Sequence, residues 1–337
     1  MFLTGFFISV FLISGCEQQS SGFVAFAGET MGTSYHVKIS TDSTEEMTAS
    51  LKGDVDKLLL EVNQAFSTYI SDSEVSLLNK SFDTAPQVKS SAFINVTKEA
   101  LSISEITQGA YDITIGPIVN LWGFGPDFTK ENKPSDEKIQ KALATVGYKN
   151  IQVDTENKTV RKTNPAIYID FSSIAKGYGV DAVAELMESK GYQNYMVEIG
   201  GEMRVSGVNS EGGKWRIAVE KPDPAGRAIH RIINVSNTAI ATSGDYRNFF
   251  EEDGVRFSHT LNPKTGLPVQ HTLSAVTVLS ENSMTADAWA TAFMVLGAKT
   301  GYDLAMNNEL AVLFLTSENG VIKEKMTPYF QRITEER

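Results

Sequence analysis

One cysteine in 337 residues, Cys16, rules out an internal disulfide and any cysteine-built metal cluster. Positive charge is scarce as well: 30 Lys and Arg stand against 41 Asp and Glu, a formal net charge of −11. A nucleic-acid binder needs a basic face to replace phosphate counterions, so this balance argues against that class. Several fingerprints are missing too. There is no G-x-x-x-x-G-K-[ST] loop, no G-x-G-x-x-G, no G-x-S-x-G elbow and no H-E-x-x-H helix, which removes support for P-loop, Rossmann, acyl-hydrolase and zincin readings. What remains is 42% hydrophobic, enough to bury one large core or two smaller ones and too much for disorder.

Residues 2–15 (FLTGFFISVFLISG) carry no charge, and polar residues follow Cys16. Such a run is too short to span a bilayer as a mature helix but suits a signal-peptide core. Ile13-Ser14-Gly15-Cys16 resembles the bacterial lipobox, although no Lys or Arg precedes the apolar run. The expectation is a signal peptide over 1–15, and a lipidated Cys16 with a flexible tether over 16–22. The mature chain would then be anchored on the extracytoplasmic side of a bacterial membrane, at the periplasmic face of the inner one.

From residue 23 onward helical and strand periodicities alternate. Tyr35, Val37 and Ile39 read as a strand, and Leu51 to Phe66 as an amphipathic helix over about 45–67. Thr97 is expected to cap a helix ending near Gly109. Ile151–Val153 and Val160 flank a polar turn and predict a hairpin. Val180 to Met187 form a helix stopped by Gly191. Strands then dominate: 196–199, 203–205, 215–219, 232–235, 274–279 and 311–315. Strand runs with inserted helices predict an α+β fold of mixed or antiparallel sheets rather than a doubly wound parallel sheet or a two-lobed Rossmann-like binding protein.

Polar groups interrupt this pattern at six places. Asp287 and Thr291, one turn apart in an apolar helix beginning near Asn282 or Ser283, present hard oxygens suited to Mg²⁺; Asp287 equally suits the positive end of a helix. Asp170 to Gly179 follows an apolar strand, Ile167–Ile169, and offers Lys176 to anionic oxygen; an ordinary turn at Asp170 is the alternative. Glu198 to Arg204 holds paired glycines, either for a close backbone approach or for a plain hairpin. His259 lies among hydroxyls beyond Thr242–Arg247, in a loop suited to proton transfer or simply in a surface turn. Gly109 to Gly125 could frame a flat ring with Asp112 at its polar edge, or build a rigid turn. Phe66 to Asn79 reads as helix termination and a fresh N-cap.

Read in order, Met31-Gly32-Thr33, FSTY, SEVSLLN, GAYDITIGPIVNLWGFG, DFSSIAKGYGVD, VEIGGEMRVSG, ATSGDYRNFF, HTLNPKTGLP and ADAWATAFMVLG resemble the ApbE family of flavin transferases from about Met31 to Leu315. That resemblance implies an α+β, T-fold-related architecture over 23–337 with an active site between two halves. It implies an enzyme that splits FAD and places FMN on a Thr or Ser hydroxyl of an acceptor protein, releasing AMP with Mg²⁺. The acceptors would be subunits of membrane redox complexes. By the same resemblance Met31, Tyr69, Ala110, Tyr111, Asp112, Asp170, Lys176 and Leu261 contact FAD. Ser173, Asp287 and Thr291 hold Mg²⁺, and His259 assists the acceptor hydroxyl. The chemistry of phosphoryl transfer adds Asp245 as a second candidate base, and Lys176 and Arg247 as charge-neutralising groups.

One loop departs from the family pattern Asp-Pro-x-Thr-Gly, reading Asn262-Pro263-Lys264-Thr265-Gly266. Asn makes the same turn but removes a carboxylate. Two other functions share these motifs: an FAD pyrophosphatase in which water replaces the acceptor, and a non-catalytic flavin-binding lipoprotein.

Overall fold

The computed structural model describes residues 22–41, 45–126, 133–223, 226, 228–245, 249–252, 255–318 and 320–335. Cys16 with the apolar run before it, and Arg247, lie outside the described residues.

The first half of the chain runs β1 (Phe23–Thr30), β2 (Thr33–Ser40), α1 (Glu45–Phe66), α2 (Glu74–Lys80), β3 (Gln87–Val88) and α3 (Ser91–Ile106). Next come α4 (Gly116–Leu121), α5 (Asp136–Leu143), β4 (Ile151–Asp154), β5 (Thr159–Lys162) and α6 (Ala175–Ser189). Strands follow as β6 (Tyr195–Ile199), β7 (Glu202–Ser206), β8 (Trp215–Glu220), β9 (Ile229–Val235), β10 (Thr238–Gly244), β11 (Phe249–Glu252) and β12 (Val255–Ser258). The chain closes with β13 (Leu273–Ser280), α7 (Ser283–Asn307), β14 (Ala311–Glu318), β15 (Val321–Met326) and α8 (Pro328–Glu335).

One 8-stranded sheet in the order β1-β2-β6-β7-β10-β13-β14-β15 organises the molecule, with every neighbouring pair antiparallel. The two-residue period sends alternate side chains to opposite faces. Val276 and Val278 of β13, with Val312 and Phe314 of β14, join Trp289 and Phe293 of α7 and reach Phe66, Phe93 and Phe171. Ala275 and Leu279, with Leu313 and Leu315, meet Trp215, Ile217 and Phe330 on the other face. At the β1–β2 end, Tyr35, Val37 and Ile39 pack on Leu51, Val55 and Leu59 of α1 and on Val180, Val183 and Met187 of α6. The fold is therefore α+β with antiparallel sheets, as expected.

Two local expectations are corrected. Thr97 lies inside α3, where its hydroxyl donates to Phe93 O at 2.6 Å. The cap is Ser90, whose side chain accepts from Phe93 N. A Thr hydroxyl turned back on the preceding turn satisfies itself and leaves the helix running. Ile167–Ile169 is buried or half-buried, yet it joins no sheet. Its hydrogen bonds go elsewhere: Asn79 Nδ2 donates to Ile169 O at 2.8 Å, and Ile169 N–H donates to Asn79 Oδ1 at 2.7 Å. Asp170 N–H then donates to Ile113 O at 2.7 Å. A side-chain amide thus does the work of a neighbouring strand.

Candidate active site

The site is built where α6 and α7 cross. Asn282 caps α7 by accepting from Thr285 N–H, which starts the helix where the sequence predicts. At the crossing a Cβ on Gly177 would stand 2.3 Å from Ser283 O, so only glycine permits this approach. The two helices exchange carboxylates. Asp287 of α7 accepts from Gly177 N–H in the first turn of α6 at 3.0 Å. Asp181 of α6 accepts from Ser283 N–H and Met284 N–H in the first turn of α7, at 2.9 and 2.8 Å. Both acids thus satisfy orphan amides and face a positive helix end. Asp287 does complement a helix N-terminus, but that of its neighbour.

Lys176 stands beside this crossing, 3.3 Å from Glu202 Oε1 and 3.7 Å from Asp287 Oδ1. Burial works against its charge, but Asp287 and Glu202 outweigh burial and hold the ammonium above the ordinary lysine value. Glu202 is pushed up to about 8, chiefly by burial, with Asp287 adding to the shift and Lys176 opposing it. Its Oε2 is buried and finds no hydrogen-bond partner among the described residues. Sequence reasoning leaves Glu202 out of the site. The available signal is an acid at the first position of a β-strand, directly after the Gly200-Gly201 turn.

A cavity of about 420 Å³ opens over these groups. Among the expected residues its wall includes Ala110, Tyr111, Asp112, Asp170, Ser173 and Lys176, together with His259, Leu261, Asp287 and Thr291. Segments far apart in the chain therefore converge, with β7 and the end of β10 forming the floor beside α6 and α7. Burial pushes the Asp170 carboxyl up against the bonds it accepts from Ser172. Burial likewise raises the phenol of Tyr111, which accepts from Ser173 Oγ at 3.0 Å. Asp112 reaches the cavity but is already engaged: Oδ1 accepts from Thr114 N–H and Oγ1–H, and Oδ2 from Tyr148 N–H. It is a rigid turn and a cavity wall at once. Phe124 also lines the cavity, its ring 6.3 Å from that of His259.

Three expected residues stand off this wall. Tyr69 is 72% exposed, although its phenol is raised by partial burial and by the charge of Asp170. Met31, at a φ of 50°, lies against α6, where a Cβ on Gly179 would come within 2.9 Å of its Cε. Asp245 follows Thr242, Ser243 and Gly244, which do line the cavity, but its own amide turns to Ser274 O at the end of the β10–β13 ladder. Asn262 also lies off the wall. Its Oδ1 accepts from Lys264 N–H at 2.9 Å and its carbonyl from Gly266 N–H at 2.8 Å, so the amide makes the turn that a carboxylate would make.

A family model described as the ApbE family matches residues 31–314. A Vibrio cholerae protein named FAD:protein FMN transferase is 43% identical over 323 residues, covering 96% of each chain. A Haemophilus influenzae protein of the same name is 44% identical over 329 residues, 96% of this chain and 94% of that one. Among solved structures, the flavin transferase ApbE from Vibrio cholerae superposes with a TM-score of 0.86 at 41% identity, covering 93% of this chain and 99% of that one. The apo flavinyl transferase ApbE of Pseudomonas stutzeri gives 0.84 at 36% identity, with 94% and 98% covered. With the family model spanning most of its length and relatives this similar across nearly all of it, the chain belongs to the ApbE family.

Proposed function

We propose that this enzyme is an FAD:protein FMN transferase that moves FMN from FAD to a Thr or Ser hydroxyl of an acceptor protein and releases AMP. The observation that carries this reading is the convergence of Ser173, Lys176, His259, Asp287 and Thr291, from three separate chain segments, on one cavity. In the reaction the acceptor oxygen forms a bond to the FMN phosphorus, and the bond from that phosphorus to the bridging oxygen breaks. AMP leaves with the electron pair, and the hydroxyl proton passes to a base. His259, on the cavity wall, is the assigned base, and Asp245 stands further back.

Lys176, held charged, offsets negative charge on the pyrophosphate oxygens and does not act as a proton donor. Tyr111, Asp112, Asp170 and Phe124 supply a rigid wall for a ring, and Met31 and Tyr69 are assigned to its outer side. The donor set fits a hard divalent cation. Asp287 carboxylate, Thr291 hydroxyl and a Ser173 oxygen are all oxygen ligands of the kind Mg²⁺ takes, with water and phosphate completing its shell. Among the described residues no three His, Cys, Asp or Glu gather into a ready-made cage, which suits an ion held jointly with substrate. Asp287 Oδ2 is engaged by Gly177 N–H and Oδ1 lies 3.7 Å from Lys176 Nζ, so an ion at Oδ1 would share that oxygen with the ammonium. When bound, Mg²⁺ would neutralise phosphate charge in a cavity whose described wall sets the acids Asp112, Asp170, Glu202 and Asp287 against Lys176.

The proposal extends to place and partner. The apolar run 2–15 before Cys16 supports a lipid anchor, which we assign to the periplasmic face of the inner membrane, and the family resemblance supports subunits of membrane redox complexes as acceptors. The decisive experiment gives the purified protein FAD, Mg²⁺ and an acceptor domain with a candidate Thr, then reads the acceptor by intact mass and AMP in parallel. Acceptor heavier by one FMN with matching AMP supports the transferase. AMP alone would indicate the pyrophosphatase, and bound FAD with neither product a binding protein. Asp287→Ala is expected to abolish Mg²⁺-dependent FAD cleavage, and wild-type turnover in that variant would sink the assigned ion site.

A further inference from the structure

Lys162, the last residue of β5, is 1% exposed and lies outside the cavity. A buried ammonium is costly unless it is paired, and most such lysines face a carboxylate. This one faces main chain. Its Nζ donates to the carbonyls of Ser81 at 2.8 Å, Pro165 at 3.1 Å and Ile167 at 3.2 Å, with Asn79 O at 3.5 Å. Burial pulls its pKa down, and among the described residues the charge that adds to this shift is another cation, Lys89. Four carbonyl oxygens around one positive centre form the kind of cage that holds a potassium or ammonium ion.

The cage joins two segments. Asn79 and Ser81 end α2, whereas Pro165 and Ile167 lead toward the site. From there the connection is continuous. Asn79 clamps both main-chain groups of Ile169, Asp170 N–H is fixed to Ile113 O, and Asp170, Ser172 and Ser173 enter the cavity wall. We propose that Lys162 is a positioning residue for the flavin site: a tethered cation in a carbonyl cage that holds the Ile167–Ser173 segment at the cavity. It touches no substrate, and it acts through Asn79 and the main chain. This inference rests on the cavity being the FAD site.

The experiment measures FAD affinity of the full-length protein in detergent by flavin fluorescence, with Mg²⁺ and no acceptor, well below the melting temperature. Lys162→Ala opens the cage to a free ion, whereas Lys162→Met fills it with an uncharged stem. Both variants are expected to bind FAD about tenfold more weakly in tetramethylammonium chloride, the loss of about one net hydrogen bond between the displaced segment and the flavin. Ammonium or potassium chloride at equal ionic strength should restore Lys162→Ala and leave Lys162→Met unchanged. Wild-type affinity in Lys162→Met, with only its melting temperature lowered, would reduce Lys162 to a fold-stabilising role and overturn the proposal. So would a weakened Lys162→Ala that ammonium does not restore. If Lys162→Ala folds only in ammonium, the cage is confirmed as a cation site and Lys162→Met decides the link to FAD. Wild-type protein that binds no FAD would instead overturn the functional reading on which this rests.

Discussion

Gly177→Ala puts two physical effects in opposition at the α6–α7 crossing. Gly177 is a helical residue, and helix propensity alone favours Ala there by about 1 kcal/mol. The structure predicts the opposite sign. The added Cβ would lie 2.3 Å from Ser283 O, 2.7 Å from Ser283 C and 2.8 Å from Met284 Cα, all main-chain atoms. No rotamer change can clear them, so the helices must separate by roughly 1 Å to reach ordinary contact distance. Overpacking of this kind costs about 1–3 kcal/mol, and separation also stretches the 3.0 Å bond from Gly177 N–H to Asp287, worth about 1.5 kcal/mol or more for a charged acceptor. Against the propensity gain, the net is a destabilisation of about 2 kcal/mol, or a fall in melting temperature of about 3 °C for a chain of this size. Differential scanning fluorimetry and urea unfolding read that change. Isothermal titration with Mg²⁺ and FAD reads the accompanying displacement of Asp287 and Lys176 as weakened binding. A Gly177→Ala protein more stable than wild type would refute the close-approach argument, because propensity would then have won.

Other sites give independent checks. Trp122→Phe removes the 2.8 Å bond from Nε1–H to Gly266 O and leaves that carbonyl without this donor, with an expected loss of about 1–2 kcal/mol by chemical denaturation; unchanged stability would mean the carbonyl is satisfied another way. Gly297 breaks α7 at φ 76°, ψ 170°, a conformation almost reserved for glycine, so Gly297→Ala should cost about 1–3 kcal/mol, and a neutral result would show that the break relaxes into helix. Asp154 is held below the usual carboxylate range by the main-chain bond from Asn157 and its companions at the β4–β5 turn. Its stabilisation is present above the unfolded value near 3.9 and lost as pH falls through the lower folded value. The stability gap between wild type and Asp154→Ala should therefore close between about pH 5 and about pH 2, and a gap constant over that range would contradict the assignment.

Periodicity carried what was local. The α1 helix, the β4–β5 hairpin and β2 followed from patterns within a few residues, because 3.6- and 2-residue repeats record which face is buried. Ile167–Ile169 was misread for the opposite reason: its apolar run is genuine, but whether it pairs with a strand depends on Asn79, ninety positions before Ile169 in the chain. Sheet order has the same non-local character, with β2 beside β6 and β10 between β7 and β13. In the site, the Asp287–Thr291 spacing and the isolated Lys176 and His259 were legible as chemistry. Glu202 was not, because an acid opening a strand looks solvent-facing until Lys176 is placed 3.3 Å away. The dual role of Asp287 was also hidden, since nothing in a linear sequence tells which helix end a carboxylate serves.

The exchange of acids between α6 and α7 places a constraint on how this protein can drift. Asp181 is not on the wall of the site cavity, yet its replacement would loosen the start of the helix that carries Asp287, so it is as restricted as a residue facing substrate. A Glu at position 287 could still offer a carboxylate to the cavity, but with one more methylene it would no longer meet Gly177 N–H from the same backbone. Any path that alters one acid must repair two helix ends before the next step is tolerated, and Gly177 closes off the easy repair of moving the helices apart. Variation in this part of the molecule is thus expected to come in sets, with changes at 177, 181, 283 and 287 tolerated together and not singly.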